Sequence, residues 1–479
     1  MTMPDRLSAL DASFLYLEDP TTPMHVGGVA VFRRPRSGFD YDHVLSLVER
    51  RLALVPRYRQ KVLPVPGRLA RPVWVDDEDF DITYHVRRSA LPKPGSDEQL
   101  HELTARVMAR QLDHTRPLWE VYLVEGLSGN RVAVLTKTHQ AMVDGIGAID
   151  IGQVILDTSR KGVTTEVDDL WMPRPQPDST RLVTDAVVDA VQRPGEIVEN
   201  VRAAATDVTA TVGKVGKAVG GLASALRTAA VPASGGPLNA ATSTQRRFAV
   251  ARARLDTFRS VHRVHGGSVN DVVLAVLSGA LRSWLLSRGE VVSARTTVRA
   301  MVPLSIRAGT DSADPDYGHD GGVPAGLVGS RVSAYLVELP VGESNPRVRL
   351  HHIGHAMREH AESGQSVAAD TLVRVSGFAP PTLHALGARV ANGFSDRLFN
   401  VLVTNVPGPQ VPLYTAGATM MEMFPVMPLA KNQTLSIGVT SYDGGLYFGL
   451  NGDRTAMPDV DVLAAMIEES VDEMIGTVE

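Results

Sequence analysis

The sequence predicts an α/β protein, on three observations. Short apolar or alternating runs, which read as strands, are interleaved with segments of helical spacing along the whole 479 residues. The mixture recurs in both halves, so neither half reads as all-helical or all-strand. The length exceeds what one hydrophobic core usually serves, and two domains of roughly 150–230 residues are expected. The halves are assigned to residues 1–160 and 246–479, with a connector over 161–245.

In the first half, residues 25–33 (HVGGVAVFR) run apolar around two glycines and read as a strand. Residues 41–54 have helical spacing, with Val44, Leu45, Leu47, Val48 and Leu52 on one side. Val73-Trp74-Val75 reads as a short strand and residues 97–111 as a helix. Residues 117–124 (PLWEVYLV) form a strand opened by a proline, a position where proline is tolerated. A turn at 126–130 leads into a returning strand over 131–138.

The connector differs in character. Residues 173–180 (PRPQPDST) are loop-like, and 182–192 are helical until Pro194-Gly195. From Ile197 to Leu226, apolar residues recur at steps of three, four and seven, an apolar stripe on a long helix. Packing on the domains is the favoured reading of that stripe, and shallow binding to a lipid surface is the alternative.

The second half opens with a strand over 247–253 and a helix over 255–264, ended by Gly266-Gly267. Ser268 and Asp271 have capping-box spacing for a helix that runs to about residue 287. Strands are expected over 298–303, 332–339, 401–405, 434–441 and 446–450, and helices over 345–362 and 459–475.

Composition narrows the function classes. A formal charge of −5 argues against a nucleic-acid binder, which carries a basic footprint. The absence of cysteine excludes a thiolate nucleophile, a disulfide framework and cysteine-bound zinc. The N-terminal residues lack a signal-peptide pattern, and no window of about 18 uninterrupted apolar residues occurs. A cytoplasmic protein is expected, either free or peripheral to the inner membrane or lipid inclusions.

One heptapeptide carries most of the chemistry. Residues 139–145 read HQAMVDG and follow the apolar strand VAVL at 132–135. A histidine five positions before an Asp-Gly turn suits a general base, although that pattern alone is weak. Other residues have equally good structural explanations. Asn270 and Asp271 open a helix, so capping weighs equally with lining a site. Asn405, before Val-Pro-Gly-Pro, either offers an amide to a substrate or holds the turn. His25 reads as a packed histidine. His351, His352, His355 and His360 lack the glutamate of a zinc HExxH helix and read as a solvated face. Asp311, Asp314 and Asp316 lack the glycine and terminal glutamate of a calcium loop. No metal or resident cofactor is expected.

Several blocks together make a specific resemblance. Residues 10–14 (LDASF), 23–28 (PMHVGG), 117–120 (PLWE), 139–145, 237–239 (PLN), 269–272 (VNDV), 302–307 (VPLSIR) and 405–409 (NVPGP) occur in order. Ser441-Tyr442 with Phe448-Gly449-Leu450 complete the series. In these the chain resembles the bacterial wax ester synthase/acyl-CoA:diacylglycerol acyltransferase family of the CoA-dependent acyltransferase superfamily. The resemblance implies two chloramphenicol-acetyltransferase-like halves, with mixed sheets flanked by helices around a tunnel. It implies transfer of an acyl group from acyl-CoA, a substrate rather than a cofactor, to the hydroxyl of diacylglycerol or a fatty alcohol, without an acyl-enzyme.

By position, the family's paired histidines fall on His139 and Gln140, and its aspartate and glycine on Asp144 and Gly145. The resemblance makes the second histidine the base and Asp144 the partner of a loop-shaping salt bridge. A glutamine amide has no useful basicity near neutral pH. Loss of a general base costs about 10²–10⁴ in rate. Gly329-Ser330 departs from the usual Gly-Asn as well. Two readings follow: an acyltransferase weakened at Gln140, or a catalytically inert acyl-CoA- or lipid-binding member of the fold.

Overall fold

The computed structural model describes residues 4–36, 38–143, 151–161, 171–192, 235–306, 331–363 and 398–478. The apolar stripe at 197–226, Gly329-Ser330 and the aspartates at 311, 314 and 316 lie outside them, as do Asp144 and Gly145.

The strands are β1 (His25–Arg33), β2 (Gln60–Leu63), β3 (Val73–Asp76), β4 (Val86–Ala90), β5 (Trp119–Leu127), β6 (Arg131–His139) and β7 (Arg246–Arg254). They continue with β8 (Val298–Ile306), β9 (Arg331–Leu339), β10 (Val401–Val406), β11 (Tyr414–Thr415), β12 (Ala418–Val426), β13 (Leu435–Tyr442) and β14 (Gly445–Asp453). Two six-stranded sheets form, in the orders β11-β12-β1-β6-β5-β4 and β7-β14-β13-β10-β8-β9, with a separate β2-β3 pair. Both sheets are mixed: β4 runs parallel to β5, and β10 runs parallel to β8 and β13. The α/β class expected from the alternation is therefore observed.

The sheets do not follow the sequence halves. β11 and β12 come from the C-terminal half yet complete the first sheet, with β12 antiparallel to β1 along Gly27↔Val426 to Arg33↔Thr419. The sequence reading contains no strand over 414–426. The run ATMMEMFPV at 418–426 has methionines on both faces and a proline near its end, which blurs the two-residue alternation.

Small residues let β12 cross between the sheets. A Cβ on Gly449 of β14 would lie 1.9 Å from the Pro425 carbonyl oxygen, and one on Gly438 of β13 would lie 2.7 Å from the Pro425 ring. Glycine is needed at both because the backbones approach too closely for a side chain. Around the crossing, Phe248 of β7 packs in one core with Val29, Val31, Phe424 and Val426 of the first sheet. The Arg252 guanidinium donates to both carboxylate oxygens of Glu422 at 2.7 and 2.9 Å, a fork that fixes β7 against β12.

Helices flank each sheet. The helix Asp97–Met108 opens with a capping box of Ser96 and Gln99 and buries Leu100, Leu103, Val107 and Met108. The helix Val269–Ser287 opens with the expected capping box of Ser268 and Asp271. By length and composition it is apolar enough to cross a membrane, but it is mostly buried inside the protein. Its apolar character is that of a core helix, clustering with Val276, Leu281, Trp284, Ile437 and Ile467.

Overfilling the crossing is expected to destabilise the chain. Gly449→Val should cost about 1–3 kcal/mol and lower the melting temperature by several degrees. Calorimetry showing an unchanged melting temperature would remove the close approach from its supporting role.

Candidate active site

The site is assembled at the C-terminal end of β6. The helix Asp97–Met108 ends there with carbonyls that have no helical partner. Two buried side chains from neighbouring strands supply donors. Lys137 Nζ donates to Val107 O at 3.1 Å and to Arg110 O, and His25 Nε2 donates to Met108 O at 2.6 Å. Burial pushes Lys137 down to about 8 and His25 well below the usual histidine range. His25 is thus a packed, neutral histidine, as its setting in the sequence indicates.

These caps fix the start of the segment 109–118, which carries His114 to the end of the sheet. There His114 Nε2 lies 2.7 Å from a Glu18 carboxylate oxygen. Glu18 follows directly on the helix Ala9–Leu17. Its other oxygen accepts from the Met24 amide at 3.1 Å, and Met24 O accepts from the Gln140 amide at 3.0 Å. His139 N donates to Leu118 O at 2.9 Å, so both partners of the heptapeptide are backbone-tied.

His139 is the last residue of β6 and its imidazole is fully buried. Nδ1 accepts from the Ala141 amide at 3.1 Å, so a neutral ring carries its proton on Nε2. Nε2 faces Glu18 at 3.6 Å, beyond hydrogen-bond distance, and has no hydrogen-bond partner among the described residues. Burial is the larger influence on His139 and lowers its pKa, with Glu18 opposing. His139 is therefore neutral, with both nitrogens turned inward.

Burial alone would raise the Glu18 pKa. The two imidazoles outweigh it and hold the carboxyl below the usual carboxylate range. Conversely, the hydrogen bond to Glu18 raises His114, whose side chain is 43% exposed. His114 and His139 meet edge to face, 5.8 Å between centroids.

Glu18, His114 and His139 have potential metal-ligating atoms within 4.8 Å of one another. The tautomer argues against a metal there. A ligating imidazole gives its lone pair to the metal and donates through its other nitrogen. His139 Nδ1 instead accepts from a backbone N–H, leaving the proton on the nitrogen that would ligate.

Gln140 opens the one-turn helix Gln140–Val143 and is half-buried. Its side-chain amide has no hydrogen bond among the described residues, so its neighbour in the heptapeptide is locked while Gln140 is not.

The second half contributes an asparagine pair. Asn405 Nδ2 on β10 donates to Asn270 Oδ1 at 3.1 Å. Asn270 Nδ2 and Asn405 Oδ1 are buried with no partner, leaving one donor and one acceptor. Buried unpaired polar atoms are rare and call for an explanation. Asp271 is a cap: its carboxylate accepts from Ser268 N at 2.8 Å. The asparagines flank the crossing, because Thr404 pairs with Gly438, against which Pro425 packs. Of the histidines on the helix Pro346–Ser363, His351, His352 and His355 are exposed, and His360 is half-buried.

Of the residues named from sequence, His139 and Gln140 adjoin at the strand end, and Asn270 and Asn405 form a pair. Glu18 and His114 were missed. Neither falls in a dense motif block, and 96 positions separate them. Only the adjacency of Glu18 to PMHVGG and of His114 to PLWE hints at them.

The fold and this strand-end arrangement define an α/β protein of two mixed sheets with a histidine–carboxylate cluster at a strand end. Residues 7–273 match the wax ester synthase/diacylglycerol acyltransferase catalytic domain, and residues 328–475 match the WS/DGAT C-terminal domain. The probable diacylglycerol O-acyltransferase tgs3 of Mycobacterium tuberculosis is 52% identical over 262 residues, which are 54% of this chain and 96% of that relative. The probable diacylglycerol O-acyltransferase tgs1 of the same organism is 32% identical over 474 residues, 98% of this chain and 96% of the relative. The solved wax ester synthase/diacylglycerol acyltransferase of Marinobacter aquaeolei VT8 superposes with a TM-score of 0.66 at 26% identity, covering 99% of each chain. The chain belongs to the wax ester synthase/diacylglycerol acyltransferase family.

The charge cluster has a defined pH signature. Glu18, whose pKa is lowered, stabilises the fold above its ordinary value of 4.5, and that contribution is lost as pH falls. His114, whose pKa is raised, contributes below 6.5, and that contribution is lost as pH rises through its folded value. Glu18→Gln should therefore destabilise most between 4.5 and 6.5, with the difference shrinking on both sides. Urea unfolding across that range checks it, and a pH-independent difference would contradict the pairing.

Proposed function

We propose that this protein transfers an acyl group from acyl-CoA to a hydroxyl of diacylglycerol or a fatty alcohol, forming triacylglycerol or wax ester. The observation that carries this reading is family membership along nearly the whole chain, at 32% identity over 474 residues. The acceptor hydroxyl attacks the thioester carbonyl carbon directly. The C–S bond then breaks and CoA leaves as the thiol once its sulfur is protonated.

The roles of individual residues are part of the proposal. His139 is a positioning residue, with Nδ1 committed to the Ala141 amide and Nε2 facing Glu18. Gln140 lines the site without acting as the base. Asp144 and Gly145, which lie outside the described residues, are assigned the loop-shaping role that the family resemblance implies. The free Asn270 amide group and Asn405 carbonyl bind polar atoms of the acyl donor, which would satisfy the two orphaned atoms. Working against insoluble acceptors, the protein acts at a membrane or lipid-inclusion surface.

Purified protein with radiolabelled palmitoyl-CoA and dioleoylglycerol or hexadecanol should release CoA and form labelled neutral lipid. No product from the wild type, with turnover appearing in Gln140→His, would instead establish an inert lipid-binding member. Asn405→Ala should lower kcat/KM for palmitoyl-CoA about 10–100-fold, the worth of one or two hydrogen bonds. An unchanged value would remove the asparagine pair from donor binding.

A further inference from the structure

The site has a second imidazole, outside the heptapeptide, with the features Gln140 lacks. His114 is the exposed member of the cluster, while His139 is fully buried. Its Nε2 is committed to the Glu18 carboxylate at 2.7 Å, and Nδ1 has no partner among the described residues. A carboxylate bound to one ring nitrogen orients an imidazole and makes the other the better proton acceptor.

Its location is equally specific. The ring abuts His139, the residue before Gln140, and the two positions are joined by a closed circuit. Glu18 holds the Met24 amide, and the Met24 carbonyl holds the Gln140 amide. The loop containing Glu18 and Met24 also touches the second half. Arg246 donates to Thr21 O, and Lys431 Nζ lies 3.9 Å from Asp19. His114 thus sits beside the strand end and next to the junction of the halves. The groups around it that carry or gain charge are Glu18, His139 and Asp113.

We propose that His114, oriented by Glu18, is the general base of this chain and replaces the imidazole absent at Gln140. The inference rests on the acyltransferase reading. As the acceptor oxygen attacks the thioester carbon, its proton passes to His114 Nδ1. When the tetrahedral intermediate collapses and the C–S bond breaks, the same proton passes to the CoA sulfur. Ester and CoA thiol are released and His114 returns to its starting state.

His114→Gln should lower kcat for palmitoyl-CoA and dioleoylglycerol about 10²–10⁴-fold with KM little changed. Adding imidazole to His114→Gly should recover part of the rate, which a purely structural role would not allow. Adding Gln140→His to His114→Gln should also restore turnover. Both single variants remove the bond to the buried Glu18 carboxylate, so each should melt somewhat below the wild type while keeping the wild-type circular-dichroism spectrum. Turnover by His114→Gln within a few-fold of wild type overturns this inference and leaves the acyltransferase reading standing. A rate loss that neither imidazole nor Gln140→His recovers also overturns it. A wild type that forms no ester at all overturns both.

Discussion

The Glu18 carboxylate is the interaction on which the site depends. One oxygen takes the Met24 amide and the other faces two imidazoles, so a single side chain ties together the first helix, the start of β1, the segment before β5 and the end of β6. Such a buried anion survives only when its partners offset the loss of water. The consequence is an oriented ring at His114, beside a His139 ring whose tautomer is fixed by the Ala141 amide. Removing either imidazole would leave a buried charge less well compensated. Glu18 has this organising role because chain segments far apart in sequence converge on it.

The second constraint is the passage of β12 from one half to the other. A strand encoded between β10 and β13 completes the first sheet, and glycines at 438 and 449 leave room for its proline carbonyl and ring. The two halves are consequently one interlocked body around Phe248, Phe424 and the Arg252–Glu422 fork. The asparagine pair lies on one side of the crossing, and β1, which carries His25 opposite His139, lies on the other. Chemistry placed between the halves is held by this crossing.

Much of the fold is legible in the sequence because its signals are local. The apolar run at 131–139, the helix at 97–108 and the Ser268–Asp271 capping box all read directly from spacing and cap chemistry. β12 does not, because methionines on both faces hide the alternation and its partner strand lies almost 400 residues earlier. The site divides in the same way. His139 and Gln140 stand out within a motif, whereas Glu18 and His114 gain meaning only when tertiary contacts bring them to 2.7 Å. Asp271, balanced in the sequence between cap and site, caps the helix through one oxygen, and its other carboxylate oxygen is buried with no hydrogen-bond partner among the described residues. Spacing can locate a motif, but it cannot show that a motif histidine is turned inward.

The absence of an imidazole at Gln140 therefore does not leave the strand end without one. The most direct test is the pH dependence of kcat for the wild-type chain from about pH 5 to about pH 8, the range in which histidine titrates. A base at His114 predicts a rate that falls toward acid with an apparent pKa above the ordinary 6.5, and Glu18→Gln should move that pKa downward. A flat profile, or one that Glu18→Gln leaves in place, would contradict a carboxylate-oriented imidazole as the proton acceptor.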